Sequence, residues 1–138
     1  MKRFAIVLLC ISLVTLSRAR AQQAGYYPGG GADMAPQVSL IKLIANPQAF
    51  DGKVVRVVGY LHVEFEGNAI YLHRDDFEHA IYENSIWIHL PKDIPQAQIK
   101  TVNDRYVICT ARFIASRHGH MGMFSGELED VRRLEPWR

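Results

Sequence analysis

One stretch of alternating residues constrains the fold more than any other feature of this 138-residue chain. Between Val55 and Phe65, apolar residues occupy every second position, and Gly59 falls in the same register. A period of two over this length predicts a β-strand with one buried face. A glycine on the buried face lets a long strand bend, as the corner of a barrel requires. We therefore expect a mainly β fold in which this strand passes around a barrel.

Shorter elements surround this strand. The residue pattern predicts further strands at residues 69–73, 85–90, 105–115 and 127–134, and a polar helical turn at 74–80. Ser39 can cap a short helix that ends before Pro47, and residues 94–102 suggest a second helix between the third and fourth strands. The expected order is one helix, three strands, one helix and two strands.

Two segments carry a family resemblance. Residues 51–60 read DGKVVRVVGY and residues 103–111 read NDRYVICTA, and each opens with a turn and then enters a long strand. With the element order above, they make the chain similar to the OB-fold families, including the tRNA-anticodon-binding-like group and small exported bacterial proteins of this type. The resemblance spans about Phe50 to Leu134. It implies a five-stranded OB-like Greek-key barrel with an N-terminal helix and a short helix between strands 3 and 4, and it implies no catalytic residues.

The first 21 residues predict where the chain works. Two cations at positions 2 and 3 precede an apolar run over residues 4–16, and Ala19 and Ala21 supply the small residues that a signal peptidase recognises. This is the pattern of a secretory signal cut after Ala21, so we expect a periplasmic or secreted protein. The apolar run is too short for a typical transmembrane helix, and we expect no membrane-spanning segment after cleavage.

The remainder divides into a leader and one domain. Residues 22–37 contain three consecutive glycines and little that could pack, which predicts a flexible leader, and residues 38–138 are expected to form the barrel domain. The chain has 16 Lys+Arg and 14 Asp+Glu, but four of the cations and none of the acids lie in the signal, which leaves a mature chain of net charge −2. Cys109 is the one cysteine outside the signal, so we expect no internal disulfide and a buried thiol.

The outward positions of the first three strands bear an unusual number of rings. In an OB barrel, the face around the second and third strands is the usual binding surface, and rings there can stack on bases or sugars. The alternative is that the helix of residues 39–50 or a second protomer covers them, because Trp, Tyr and His suit half-buried positions. The candidate binding residues are Tyr60, His62, Tyr71, His73, Trp87 and His89.

The predicted hairpin between the last two strands is a second candidate site. It holds two imidazoles and two thioethers within six residues, namely His118, His120, Met121 and Met123. Imidazole suits copper or zinc and thioether selects Cu(I), so the loop is a candidate soft-metal site. The alternative is that the glycines serve the turn, a histidine bonds the backbone and Met123 tucks under the barrel rim. The sequence indicates no other cofactor.

The sequence contains no Gly-x-Ser-x-Gly, no phosphate-binding glycine loop and no His-Glu-x-x-His. Glu64 with His62 could in principle act as an acid–base pair in a hydrolase. We interpret the chain instead as an exported, non-catalytic binding module that uses the outer face of strands 1–3 and the hairpin between strands 4 and 5. Another envelope or secreted protein is the first-ranked partner. An oligosaccharide is possible, and nucleic acid ranks lower because the mature chain lacks the positive field that phosphate binders carry.

Overall fold

Five strands close into a barrel in the computed structural model of the chain, which describes residues 25–26 and 34–138. The strands are β1 (Val54–His62), β2 (Ala69–Tyr71), β3 (Ser85–Ile88), β4 (Arg105–Ile114) and β5 (Glu127–Pro136). The helices are α1 (Leu40–Ala45), α2 (Arg74–Glu78) and α3 (Gln96–Val102), and 3-10 turns lie at Pro47–Phe50, Tyr82–Asn84 and His120–Gly122. The signal peptide predicted for residues 1–21, and most of the leader predicted for residues 22–37, lie outside the described residues.

The strand order around the barrel is β1-β2-β3-β5-β4, and β4 returns to pair with β1. Neighbouring strands are antiparallel, except that β3 and β5 run parallel. α1 precedes the barrel and α3 lies between β3 and β4. This confirms the predicted fold class, and the architecture is consistent with an OB-fold. In the described part of the chain, no helix has the length and apolar character needed to cross a membrane.

The inward face of β1 fills the barrel as the alternation predicts. Val57 and Leu61 have no exposed surface. At Gly59, an added Cβ would lie 2.5 Å from Ile70 Cγ2 and 2.6 Å from the Tyr71 carbonyl oxygen. Only a residue without a side chain lets β2 approach β1 this closely. The glycine that interrupts the apolar alternation is therefore a packing requirement of the barrel.

α1 packs into the same interior. Its capping is as predicted, since Ser39 Oγ accepts a hydrogen bond from the Lys42 N–H at 3.3 Å. Leu40 and Leu43 are buried in the main core, together with residues from the barrel strands. The apolar face of α1 is therefore used to complete the barrel core.

Cys109 lies on β4 without exposed surface, which confirms the expectation of a buried thiol. Burial raises the pKa of this thiol to about 12. The thiol therefore stays protonated at neutral pH, and Cys109 acts as a small core hydrophobe.

β1 and β2 end earlier than the sequence pattern indicates. Phe65, which the alternation places inside, is 91% exposed, so that expectation is wrong. β1 ends at His62, and the residues after it turn the chain toward β2, with Glu66 at φ 60°. β2 stops two residues before its predicted end because His73 caps α2, where its backbone N–H donates to the Asp76 carboxylate at 2.9 Å.

A short part of the predicted leader pairs with the barrel. Tyr26 and Leu134 of β5 exchange two backbone hydrogen bonds, of 3.0 and 3.1 Å. The Tyr26 hydroxyl donates to Asp93 Oδ1 at 3.1 Å, and the ring packs against the main core. Tyr26 thus adds one residue pair to the outer edge of β5.

Replacement of Val57 by Asp should prevent the domain from folding, so that no cooperative unfolding transition is seen. The variant buries an unpaired carboxylate in the barrel interior, at a cost of more than about 4 kcal/mol. The matched control is Val58→Asp, one residue along the same strand and only partly buried. Thermal melts followed by circular dichroism should show a folded Val58→Asp chain and no folded baseline for Val57→Asp. A normal melt for Val57→Asp would mean that β1 presents the opposite set of side chains to the core.

Candidate interaction surface

The barrel brings four of the predicted ring residues onto one outer face. Tyr60 on β1 lies opposite Tyr71 on β2, and His62 lies opposite Ala69. Ala69 in turn lies opposite Trp87 on β3. Because cross-strand partners share a face of the sheet, these side chains form two adjacent rows on the outside of the barrel.

α2 covers one part of this face. The Phe77 ring stacks on His62 with 3.9 Å between ring centroids, and lies 6.1 Å from Tyr60 and 5.5 Å from Tyr71. The exposed fraction is 5% for Tyr60 and 1% for Tyr71, and burial raises the pKa of Tyr71 to about 12. α2 follows β2 after only two residues, so it folds back onto the outer face of that strand.

The segment between β4 and β5 covers another part, and we define its residues 117–125 as the hairpin loop. Phe124, which is 3% exposed, makes edge-to-face ring contacts with Trp87 at 5.1 Å and with Tyr82 at 5.7 Å. The hairpin loop and α2 thus turn the ring-bearing face into a second core. Tyr60 and Tyr71 are thus enclosed by α2 and neighbouring segments of the same chain, and their role in binding stays a prediction.

The other four predicted binding residues keep part of their surface. His73 and His89 are exposed, Trp87 is half-buried, and the His62 side chain is 16% exposed. The rings of Trp87 and His89 lie 6.3 Å apart beside the hairpin loop. The open remainder of the face therefore includes the edge at Trp87 and His89, and the binding role of these residues stays a prediction.

A buried carboxylate fixes the hairpin loop against this edge. The Glu127 side chain, 9% exposed, accepts hydrogen bonds from His89 Nε2 at 2.7 Å and from the Gly119 N–H at 2.9 Å. It also forms an ion pair with Arg117, whose Nε lies 3.1 Å from Glu127 Oε2. Burial alone would raise the pKa of this carboxyl. The hydrogen bonds from His89 and Gly119, with the positive charges of His89 and Arg117, outweigh burial and lower the pKa. Arg117 also pairs with Glu129.

The backbone of the hairpin loop is tightly specified. Gly119 has φ 61°, and an added Cβ would lie 2.8 Å from atoms of Trp87 and Phe124, so both conformation and packing require glycine. His118 Nδ1 lies 2.9 Å from the Phe124 carbonyl oxygen across the loop. Met121, in the 3-10 turn of the loop, has φ 53° and is 81% exposed.

A groove of about 430 Å³ runs between the hairpin loop and the end of α1. It is bordered on the α1 side by the 3-10 turn that follows this helix. The apolar part of its lining consists of Ile44, Pro47, Tyr82, Met123 and Phe124.

The four candidate metal ligands all belong to the hairpin loop. His118 uses Nδ1 for its backbone contact, and Met123 packs against the second core, as the alternative interpretation of this loop expects. Within the described residues, no group of three or more His, Cys, Asp or Glu side chains is arranged to hold a metal ion. Copper or zinc binding by His118, His120, Met121 and Met123 stays a prediction.

His62 lies between two carboxylates, one of which sequence reasoning missed. Its Nδ1 is 2.6 Å from Asp104 Oδ1, and its Nε2 is 3.7 Å from Glu64 Oε2. The Tyr60 hydroxyl also donates to Asp104 Oδ1, at 3.5 Å. In the sequence, Asp104 indicates only a turn before β4, and the pairing of β1 with β4 is what brings it to His62. Asp104 and the Phe77 ring thus hold the imidazole of His62, the acid–base candidate paired with Glu64, in position.

Comparisons with known proteins assign no family to the chain. No protein-family model matches it, and no curated protein matches it. Among solved structures, it is similar to a putative aspartyl-tRNA synthetase from Leishmania major Friedlin, with a TM-score of 0.45 and 11% sequence identity. The match covers 81% of this chain and 22% of that chain, so this chain spans about a fifth of the length of that protein.

Glu127→Gln should weaken the fold by about 1–2 kcal/mol at neutral pH, because Gln brings no negative charge to Arg117. The pKa of Glu127 is lower in the folded chain than its ordinary value of 4.5. The ionised carboxylate therefore contributes its full stabilisation at pH values above 4.5. This stabilisation is lost as the pH falls through the lower pKa that Glu127 has in the folded chain. The difference in unfolding free energy between wild type and variant, measured by urea unfolding at several pH values, should shrink on acidification.

The matched control for this measurement is Glu129→Gln on the same strand. The Glu129 side chain is 34% exposed and that of Glu127 is 9% exposed, so we expect a change of at most about 0.5 kcal/mol from the control. A difference that does not vary with pH for Glu127→Gln would show that this carboxylate is not stabilised in its ionised form.

Proposed function

We propose that this protein is an exported, non-catalytic binding module that holds a protein partner. The proposed surface combines the hairpin loop with the adjoining edge of β3 at Trp87 and His89. One observation carries the proposal: the buried carboxylate of Glu127 fixes a surface loop in which Met121 is exposed.

The backbone conformation of Met121 costs stability. A non-glycine residue at positive φ, such as Met121, stores about 1–3 kcal/mol. A plain turn could join β4 to β5 without this cost. Strained positions that the surrounding structure enforces cluster at functional sites, so the conformation of Met121 supports a role in recognition.

The chemistry of the surface suits a protein partner. Met121 is 81% exposed, and the flexible methionine side chain adapts to varied partner shapes. Trp87 and Arg117 are of residue types that contribute most to the energetics of protein interfaces. The groove of about 430 Å³ beside the loop offers a depression for a side chain of the partner.

The predicted compartment supports the same interpretation. The signal sequence in residues 1–21 would direct the chain out of the cytoplasm, and the mature chain would carry a net charge of −2. OB-type barrels occur among nucleic-acid binders, but a fold does not by itself specify a ligand. We assign the chain to the small exported OB-type proteins and its partner to the cell envelope.

Site-specific photo-cross-linking in living cells tests the proposal. A photo-reactive amino acid at His120 retains Met121 and should give an adduct of one defined mass. The control carries the same amino acid at Lys100, an exposed position on α3 outside the proposed surface, and should give no such adduct. Equal adducts from both positions, or none from His120, would contradict the proposal.

Met121→Gly separates recognition from folding. Glycine adopts φ 53° without strain, so the melting temperature of the variant should be unchanged or higher. The adduct from position 120 should nevertheless fall several-fold, because the exposed side chain is gone. An undiminished adduct would mean that Met121 is not part of the contact.

A further inference from the structure

A second groove lies where the ends of β1, β4 and β5 meet the start of α2. Its volume is about 490 Å³, and we call it the basic groove. Three arginines and three rings dominate its lining: Arg74, Arg105, Arg138, Tyr60, Tyr106 and Trp137.

The rings of the basic groove are held in place and partly open. The Tyr106 ring packs edge-on against Tyr60, with 5.7 Å between centroids. The Trp137 N–H donates to the Tyr106 carbonyl oxygen at 2.8 Å, which anchors the chain beyond the end of β5. Tyr106 is 41% exposed and Trp137 is 49% exposed. The groove therefore presents two fixed apolar surfaces to an incoming group.

The charges of the groove are unevenly compensated. Arg74 pairs with Glu78 at 2.8 Å. The Asp104 carboxylate is hydrogen-bonded to His62 and Asn103. Arg105 makes no ion pair with any described residue within 4.0 Å. Its guanidinium is therefore available for a carboxylate, which it can bind with two parallel hydrogen bonds.

Rings beside an unpaired guanidinium suit an acidic segment that carries an aromatic side chain. The chain itself contains such a segment in the turn between β1 and β2, which reads Glu64-Phe65-Glu66 and which we call the acidic tip. Phe65 is 91% exposed, more than any other large hydrophobic residue in the described ranges. Aromatic side chains are enriched at protein interfaces, and a carboxylate beside Phe65 can pair with the guanidinium of Arg105.

We propose that the acidic tip of one copy docks into the basic groove of a second copy. Within one copy, β1 ends at His62, which lies 2.6 Å from Asp104 of the groove, and the acidic tip begins two residues later. The tip and the groove are thus neighbours on the same molecule. Two copies related by a two-fold axis can then exchange tips, which gives a closed dimer with two identical contacts.

A nucleic acid strand suits the groove less well. Binding along a phosphate backbone draws on several unpaired cations, whereas Asp104 lines this groove and Glu78 already occupies Arg74. The contact is also separate from the hairpin loop, so the failure of either proposal leaves the other standing.

Sedimentation velocity over a range of protein concentrations tests the dimer. The wild type should dimerise, and more weakly at high salt, because exposed charges are screened. Arg105→Glu, Glu66→Arg and Phe65→Ser should each raise the dimer dissociation constant about tenfold or more. Lys100→Glu, a charge reversal at an exposed site outside the groove, is the matched control and should leave the constant unchanged.

Mixing the two charge-reversal variants gives the sharpest readout. In a heterodimer of Arg105→Glu with Glu66→Arg, one contact pairs the two reversed residues and the other pairs the two native residues, so both are attractive. An equimolar mixture should therefore dimerise as the wild type does, although each variant alone dimerises about tenfold or more weakly. A wild type that stays monomeric overturns the proposal, as does a dimer that none of these variants weakens. Loss of a hairpin-loop adduct with Arg105→Glu, with a monomeric wild type, would assign the groove to another protein and overturn self-association.

Discussion

The rest of the structure depends on the close contact at Gly59. An atom in place of its missing Cβ would lie within 2.7 Å of Ile70, Tyr71 and Leu40. β1, β2 and α1 therefore meet at a point that leaves no room for a side chain, and Leu40 completes the interior there. β1 can then pair with two strands at once: with β4 over Val54–Leu61 and with β2 over its last three residues. The next residue, Tyr60, points outward by the alternation of the strand, and the ring-bearing face begins with it.

That outer face shows how a small barrel gains a second core. A domain of this size buries a limited fraction of its surface, and rings on the outside of the sheet provide additional apolar area that can be buried. Phe77 from α2 and Phe124 from the hairpin loop bury part of this area by packing on the tyrosines and on Trp87. The hairpin loop is additionally held by the carboxylate of Glu127, which replaces lost hydration with two hydrogen bonds and the ion pair with Arg117. The proposed interaction surface is thus built from covering segments and only in part from the strands that sequence reasoning selected.

Sequence reasoning succeeded where the determining contacts are local. The alternation in β1, the cap at Ser39 and the burial of Cys109 follow from neighbours along the chain, and the element order then indicated the barrel. It failed at Phe65 because the end of a strand depends on where its partner strands stop. It missed Asp104 and Glu127 as site residues, because their imidazole partners are 42 and 38 residues away.

The sequence by itself determined that the chain forms a five-stranded barrel with an N-terminal helix, and which side of β1 faces the interior. Those properties follow from the periodicity of apolar residues, because side chains on a strand alternate between two environments. Only the tertiary structure decided what becomes of the outer side. A five-residue helix and a glycine-containing loop carry no periodic signal, yet their docking encloses Tyr60 and Tyr71 and leaves Met121 exposed. Exposure is decided by which segments pack over a face, and that choice is made between residues far apart in the chain.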